Sequence, residues 1–274
     1  MTAANKHNRA ANSNPCEQAM ASYPACGYDL AKALNWMASL KIIAQIGNSD
    51  ALADTGSMKI DPSAAPHFDS AFRARLHDLF CWRRDVRRFR SDPLPPGLLE
   101  RLIEIACQAP SVGLSQPWRF VVVDDHDRRQ RVIENFESCN AAARNDYTGD
   151  LSTRYAALKL AGLREAPCHL AVFADRSTAT GHGLGRRTMP EMADYSVVTA
   201  IFSIWLAARA EGVGVGWVSI LDPAMMAGIL DVPSTWHFIG YFCLGYPQAE
   251  DDSPELERVG WEERQPASNF VFRR

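Results

Sequence analysis

The chain has 274 residues, of which 47% are hydrophobic and 22% are charged, and its net charge is −3. This fits one globular domain, with or without a tail, and argues against a general nucleic-acid or membrane-surface binder, because both need a basic surface. Seven scattered cysteines, no apolar signal core and no run of about 18 apolar residues predict a reduced, cytoplasmic protein with neither a metal site nor a membrane-spanning helix.

The first part of the chain differs in composition from the rest. Residues 1–67 are rich in Ala, Asn, Ser and Pro and have weak periodicity, and Pro62-Ser63-Ala64-Ala65-Pro66 is typical of a linker. We expect residues 1–67 to be a loosely ordered N-terminal extension. The folded domain is predicted to span residues 68–274.

A cluster of arginines follows the first predicted helix of this domain. Phe72, Leu76, Leu79 and Phe80 recur at helical spacing, and the helix leads into Trp82-Arg83-Arg84-Asp85-Val86-Arg87-Arg88-Phe89-Arg90. Two interpretations stay open. One is a solvated basic helix end. The other is an anion site, because the planar guanidinium group can grip a phosphate by two hydrogen bonds at once.

A turn rich in proline and small polar residues follows the second predicted helix, which starts after Pro95-Pro96. Its sequence is Ala109-Pro110-Ser111-Val112-Gly113-Leu114-Ser115-Gln116-Pro117-Trp118. Pro and Gly interrupt regular structure and leave backbone groups free, and Ser and Gln side chains can hydrogen-bond the edge of a polar heterocycle. On composition alone, a plain helix-to-strand turn is the favoured interpretation.

Hydrophobic periodicity predicts the remaining elements. They are a buried strand at 120–123, a helix from Asp125 to about Ala143, a short helix from Tyr155 to about Leu163, a second buried strand at 168–174, a helix from Pro190 to about Glu211, a strand at 212–220, a short helix at 224–230 and a last strand at 238–244. His169, inside the second strand, is expected to be structural. The loop 175–189 is a candidate lid over a binding site.

Two local patterns point to a binding site. The alternating glycines of Gly212-Val213-Gly214-Val215-Gly216-Trp217 predict a close approach to the strand backbone, either by a flat ring or by a tightly packed helix. Ser196 is predicted near a helix N-terminus, where backbone N–H groups are free. The sequence contains neither a P-loop nor a dinucleotide-binding fingerprint.

Four features together resemble the nitroreductase-like flavoproteins: the arginine cluster, the Pro-Ser…Gln-Pro-Trp turn, the glycine-rich strand and a late arginine, Arg264. The resemblance implies an α+β sandwich with a central mixed or antiparallel sheet flanked by helices, and a homodimer that holds FMN at the subunit interface. The implied phosphate ligands are Arg83, Arg84, Arg87 and Arg264. The implied contacts to the ribityl chain and the ring edges are Pro110, Ser111 and Gln116.

From about Phe72 onward, the chain resembles one branch more closely, the BluB-type 5,6-dimethylbenzimidazole synthases. The segments that carry this resemblance are Arg83-Arg84-Asp85-Val86-Arg87, Ala109-Pro110-Ser111-Val112-Gly113, Leu184-Gly185-Arg186, Met192-Ala193-Asp194-Tyr195-Ser196 and the stretch 205–220. They add Val86, Leu184, Gly185 and Ser219, and Asp85 itself, to the implied flavin site. Ordinary nitroreductases usually carry a serine where this chain has Asp85, which favours the synthase branch.

The synthase resemblance implies that reduced FMN is the substrate and not only the cofactor. With O2 it would give 5,6-dimethylbenzimidazole, the lower ligand of cobalamin, and erythrose 4-phosphate. Asp85 and Ser196 are the implied catalytic residues. Asp85 is expected to act as a base or to orient ribityl hydroxyls, and the neighbouring arginines are expected to keep it ionised. A separate flavin reductase is expected to supply the reduced FMN.

Three other functions stay open at this point. The first is an NAD(P)H-dependent FMN nitroreductase or flavin reductase on the same fold, against which Asp85 argues. The second is a reductive dehalogenase of the iodotyrosine type, which needs a lid with suitable aromatic and acidic residues that the sequence does not identify. The third is a non-catalytic FMN carrier, which would return the flavin intact.

Overall fold

The computed structural model describes residues 66–274. The predicted N-terminal extension therefore lies almost entirely outside the described residues, and its boundary stays a prediction. The helices are α1 (Ser70–Trp82), α2 (Leu98–Ala106), α3 (His126–Arg144), α4 (Gly149–Ala157), α5 (Met192–Ala210), α6 (Pro223–Leu230) and α7 (Glu255–Arg258). The strands are β1 (Trp118–Val122), β2 (Cys168–Asp175), β3 (Gly214–Val218) and β4 (Trp236–Gly245).

The four strands form one antiparallel sheet in the order β1-β2-β4-β3. The register places Trp118 opposite Ala174, and Gly214 opposite Gly245. Each strand was predicted from its sequence, and its observed ends lie within two residues of the expected bounds. The predicted α+β sandwich is confirmed, with the antiparallel form of the central sheet.

Helices cover both faces of the sheet because β2 is apolar on both sides. Side chains of a strand alternate between its faces. Leu170, Val172 and Ala174 accordingly pack with the buried residues of α2 and α5, whereas Ala171 and Phe173 pack with those of α3 and α6. A strand buried on both faces reads as a continuous apolar run, which is the pattern of β2.

Local signals explain where several helices begin and end. Asp125 caps α3 by accepting a hydrogen bond from the Arg128 N–H at 2.8 Å, and Asp222 caps α6 ahead of Pro223. One helix differs from the prediction at both ends. The helix expected to start at Tyr155 begins six residues earlier, at Gly149. The helix around Tyr155 ends at Ala157, so Leu158 and the residues after it lie outside α4.

His169 is a structural residue, as expected. It is buried, and its Nδ1 lies 2.9 Å from the hydroxyl oxygen of Tyr241. Burial, together with the nearby positive charge of Arg129, lowers the pKa of His169 to about 4. The imidazole is therefore neutral at physiological pH. Within residues 66–274, no helix is long and apolar enough to cross a membrane, and no cluster of His, Cys, Asp and Glu side chains could hold a metal ion.

Candidate functional site

The arginine cluster starts at Arg83, the C-cap residue of α1, and continues as an extended segment beside β3. Helix α1 stops at Trp82, and the Val86 N–H then donates to the Val215 carbonyl oxygen at 3.0 Å. The indole N–H of Trp205, on α5, donates to the Arg84 carbonyl oxygen at 3.0 Å. The segment 83–88 is therefore fixed from two sides, which favours the interpretation as an anion site over that as a solvated helix end.

The glycines of β3 allow the segment 83–88 to lie close against the strand backbone. A Cβ added to Gly216 would lie 2.1 Å from the carbonyl oxygen of Val86, and one added to Gly214 would lie 2.6 Å from a methyl group of Val86. The expected close approach is real. It is made by another stretch of backbone, not by a flat ring or a helix as the sequence suggested.

The segment forms one wall of a cavity of about 320 Å³. Five predicted site residues line it, namely Arg83, Arg84, Asp85, Val86 and Arg87. The opposite wall comes from α5, the start of β3 and the residues after β4. Two acids of that wall already have partners, since Glu250 pairs with Arg209, and Glu255 pairs with Arg88 at 3.3 Å.

Arg83 and Arg84 carry positive charge without a carboxylate partner among the described residues. The Nε atom of each is buried and has no hydrogen-bond partner within residues 66–274. Burial lowers the pKa of both guanidinium groups, and the charge of Arg264 lowers both further. Two partly buried arginines without a carboxylate partner, with the exposed Arg264 as a further nearby positive charge, make an anion site. The residues present therefore fit a phosphate group such as that of FMN.

Both carboxylate oxygens of Asp85 are held. Oδ1 accepts the Trp217 N–H at 2.9 Å, and Oδ2 accepts the Nε–H of Arg87 at 3.0 Å. The ion-pair partner of Asp85 is thus Arg87. Burial is the largest influence on this carboxyl group and raises its pKa, although Trp217 and Arg87 oppose the shift. Arg87 and Arg83 lower the pKa of Asp85, as expected, but burial outweighs them, and the expectation that Asp85 stays ionised remains a prediction.

The proline-rich turn is strained in several places. Gly113, Leu114 and Gln116 all have positive φ, at 57°, 53° and 45°, and for a non-glycine residue this costs roughly 1–3 kcal/mol. The Ser111 hydroxyl accepts the Gln116 N–H at 3.1 Å and closes the turn. Backbone strain that surrounding hydrogen bonds maintain is typical of binding sites.

Two hydroxyl groups on α5 hold this turn. The Ser196 hydroxyl donates to the Met192 carbonyl oxygen at 2.6 Å and accepts the Val112 N–H at 3.0 Å. One helical turn later, the Thr199 hydroxyl lies 3.0 Å from the Pro110 carbonyl oxygen. Sequence reasoning missed Thr199, although its position three residues after Ser196 places it on the same helix face. The catalytic role of Ser196 stays a prediction.

Replacing Ser196 by alanine is expected to lower the free energy of unfolding by about 1–3 kcal/mol, because the Val112 N–H would lose its acceptor in a part-buried position. Chemical denaturation measures the change. Ser203→Ala is the matched control, since the Ser203 hydroxyl is exposed and contacts only the Thr199 carbonyl of its own helix. Equal stability of the two variants would refute the importance of this contact.

The candidate lid packs against the turn. A Cβ on Gly181 would lie 2.4 Å from the Gly113 carbonyl oxygen, and Arg186 ties the loop together by donating to the Thr178 carbonyl oxygen at 2.8 Å. At the base of the loop, Arg176 pairs with Asp194. Leu184, which lies next to Gly113 of the turn, is 71% exposed. The loop thus presents its predicted site residues from a fixed base, and its function as a lid stays a prediction.

The predicted site residues fall into two clusters within one chain. The first is the cavity, with Arg264 close enough to affect the charges of Arg83 and Arg84. The second is the turn with the loop packed on it. The predicted residues that do not line the cavity are Pro110, Ser111, Gln116, Leu184, Gly185, Ser196, Ser219 and Arg264, and of these Ser219 belongs to neither cluster.

Comparison with known proteins agrees with this architecture. The Nitroreductase family model matches residues 81–246, more than half of the chain. The 5,6-dimethylbenzimidazole synthase of Rhodospirillum rubrum is 57% identical over 201 residues, which cover 73% of this chain and 95% of the relative. The enzyme of the same name from Rhodobacter capsulatus is 44% identical over 73% of this chain and 97% of its own length.

A solved structure of iodotyrosine deiodinase, bound to FMN and 3-iodo-L-tyrosine, is similar with a TM-score of 0.55 and 26% sequence identity. The match covers 64% of this chain and 91% of the deiodinase chain. The chain therefore belongs to the nitroreductase family of flavin-binding enzymes, within which it groups with the 5,6-dimethylbenzimidazole synthases.

Proposed function

We propose that this protein is a 5,6-dimethylbenzimidazole synthase that consumes reduced FMN and O2 and releases 5,6-dimethylbenzimidazole and erythrose 4-phosphate. The identity of 57% to a synthase over nearly the whole length of that relative supports this assignment. The observation that carries it is the position of Asp85, a carboxylate held at both oxygens inside a cavity lined with arginines. When bound, the reduced flavin supplies both the electrons for O2 and the carbon skeleton of the product.

Arg83, Arg84 and Arg264 would hold the phosphate of the flavin. The buried, unpartnered Nε atoms of Arg83 and Arg84 support this assignment, because a buried donor without an acceptor costs about 1–3 kcal/mol until a ligand satisfies it. Arg83 is held in place for this role by Trp205, whose ring lies 5.1 Å from the centre of its guanidinium group.

Asp85 would act on the sugar chain of the flavin. A carboxylate can orient a hydroxyl by accepting its hydrogen bond, and it can take a proton from carbon or oxygen when its pKa is close to the working pH. Burial moves the pKa of Asp85 upward, towards that range. The Trp217 N–H and Arg87 fix the plane of the carboxylate, so its free lone pairs have a defined direction.

We propose that two copies of the chain form a homodimer and that each site combines elements of both. Large apolar side chains on α1 and α5 support this, since Phe80 is 46% exposed, Phe202 is 40% exposed and Tyr195 is 52% exposed. The turn and loop cluster does not line the cavity of its own chain, so the ring-edge contacts implied for Ser111 and Gln116 would come from the partner. A separate reductase would deliver reduced FMN.

Analysis of the products tests the proposed function. The purified protein is mixed with chemically reduced FMN, air is admitted, and the products are separated by chromatography and identified by mass spectrometry. We expect 5,6-dimethylbenzimidazole, and none when air is excluded. Rapid NADH oxidation with intact FMN would instead identify a reductase, and the return of intact FMN without NADH oxidation would identify a carrier.

A further inference from the structure

We infer that Arg87 is a positioning residue that holds the carboxylate of Asp85, and that Arg83 and Arg84 alone, from this segment, bind the flavin phosphate. The inference rests on the proposed function for what Asp85 does. It differs from the sequence expectation, which placed all three arginines on the phosphate. The division follows from what each guanidinium group already contacts.

The guanidinium group of Arg87 is engaged at two points. Its Nε lies 3.0 Å from Oδ2 of Asp85, and its Nη1 donates to the Lys159 carbonyl oxygen at 3.4 Å. The side chain is 15% exposed. A side chain fixed at both contacts and mostly shielded from water has one direction available, and that direction is towards Asp85.

Lys159, whose carbonyl oxygen accepts a hydrogen bond from Arg87, is itself held by an ion pair. The Lys159 ammonium pairs with Glu165 at 2.6 Å, and this links the two ends of the segment that follows α4. The Lys159 carbonyl oxygen therefore has a defined position from which to accept the Arg87 N–H. The arrangement runs from Glu165 through Lys159 and Arg87 to Asp85.

Arg83 and Arg84 differ from Arg87 in that each has a buried N–H donor without an acceptor, which a phosphate oxygen could supply. Neither forms an ion pair with a carboxylate within residues 66–274, and the buried Nε of each has no acceptor there. Arg87 has its acceptor in Asp85. An anion entering the cavity would satisfy the unpartnered Nε–H groups of Arg83 and Arg84, whereas the Nε–H of Arg87 already binds Asp85 and its Nη1 binds the Lys159 carbonyl oxygen.

The charges around Asp85 predict what loss of Arg87 does to its protonation. Arg87 and Arg83 both lower the pKa of Asp85, as does the Trp217 N–H, and burial opposes them. On β4, the Cys243 thiol is neutral because burial raises its pKa. Removing Arg87 therefore raises the pKa of Asp85, and activity that needs the carboxylate is lost at a higher pH on the acid side.

Comparing FMN with riboflavin separates the two roles, because only FMN carries the phosphate. Binding of each oxidised flavin is measured by fluorescence titration for the wild type, Arg87→Gln and Arg84→Gln. We expect Arg84→Gln to reduce the preference for FMN over riboflavin by about 10- to 100-fold, as a lost charge-assisted hydrogen bond does. We expect Arg87→Gln to keep the wild-type preference.

Product formation supplies the second readout. Arg87→Gln is expected to form 5,6-dimethylbenzimidazole about 10- to 100-fold more slowly, with the acid side of its pH profile moved to higher pH, whereas Arg87→Lys keeps a cation beside Asp85 and recovers part of the rate. The inference is overturned if Arg87→Gln, or Arg87→Lys should Arg87→Gln not fold, loses the FMN preference as Arg84→Gln does. A wild type that binds flavin and makes no 5,6-dimethylbenzimidazole overturns the proposed function, while the binding ratios still decide the assignment of Arg87.

Discussion

Replacing Asp85 by asparagine is expected to slow the formation of 5,6-dimethylbenzimidazole by about 100-fold or more, the range in which loss of a positioned proton acceptor falls. Asparagine still offers an oxygen to the Trp217 N–H, but its NH2 group then faces the Nε–H of Arg87, so a donor meets a donor. The product is measured by chromatography, and FMN binding is expected to persist because the arginines are unchanged.

The chain contains a matched control for this substitution. Asp92 accepts from Arg90 at 2.8 Å with the same spacing of two residues that separates Asp85 from Arg87, but both Arg90 and Asp92 are exposed. Asp92→Asn is expected to leave the rate unchanged. Wild-type product formation by Asp85→Asn would remove Asp85 from the chemistry.

A methyl group at position 216 is expected to weaken flavin binding. In Gly216→Ala the new Cβ would lie 2.1 Å from the Val86 carbonyl oxygen. Strand β3 cannot retreat, because Gly216 is paired with the buried Cys243 of β4. The segment 83–88 must move instead, at a cost of about 1–3 kcal/mol or more, and its arginines leave their positions. We expect FMN affinity to fall by about 10-fold or more, since the arginines' charge-assisted bonds are lost.

Gly228 provides the contrast. It lies in α6, and a Cβ there would meet no atom within 4 Å. Gly228→Ala is expected to raise the free energy of unfolding by up to about 1 kcal/mol through better helix propensity, with FMN binding unchanged. Thermal unfolding and fluorescence titration measure both variants. Normal flavin affinity in Gly216→Ala would show that the segment tolerates displacement.

Most of the fold could be predicted from the sequence because its signals are local. The apolar run of β2, the Asp222-Pro223 start of α6 and the long periodic pattern of α5 each depend on neighbouring residues only. The end of α4 was misjudged for the same reason. Leu158 and Leu163 continue the apolar spacing, but the helix ends before both of them, and Leu163 packs in the core from outside the helix.

The site was predictable in composition but not in its contacts. The resemblance selected Arg83, Arg84, Asp85 and Arg87 together, and the cavity contains them all. Which arginine holds Asp85 depends on the direction of an extended backbone and on the Lys159 carbonyl oxygen, 72 residues away along the chain. Sequence spacing does not encode such contacts.

Helix α5 sets the distance between the two parts of the site. Ser196 holds the proline-rich turn and Trp205 holds the arginine segment, and nine residues of helix separate them by about 13.5 Å along the axis. An α-helix in a packed core does not stretch, so neither part can adjust to the other. The chain therefore measures length as well as charge: within this chain, a spacer of fixed length separates the arginine segment from the turn that presents strained polar backbone.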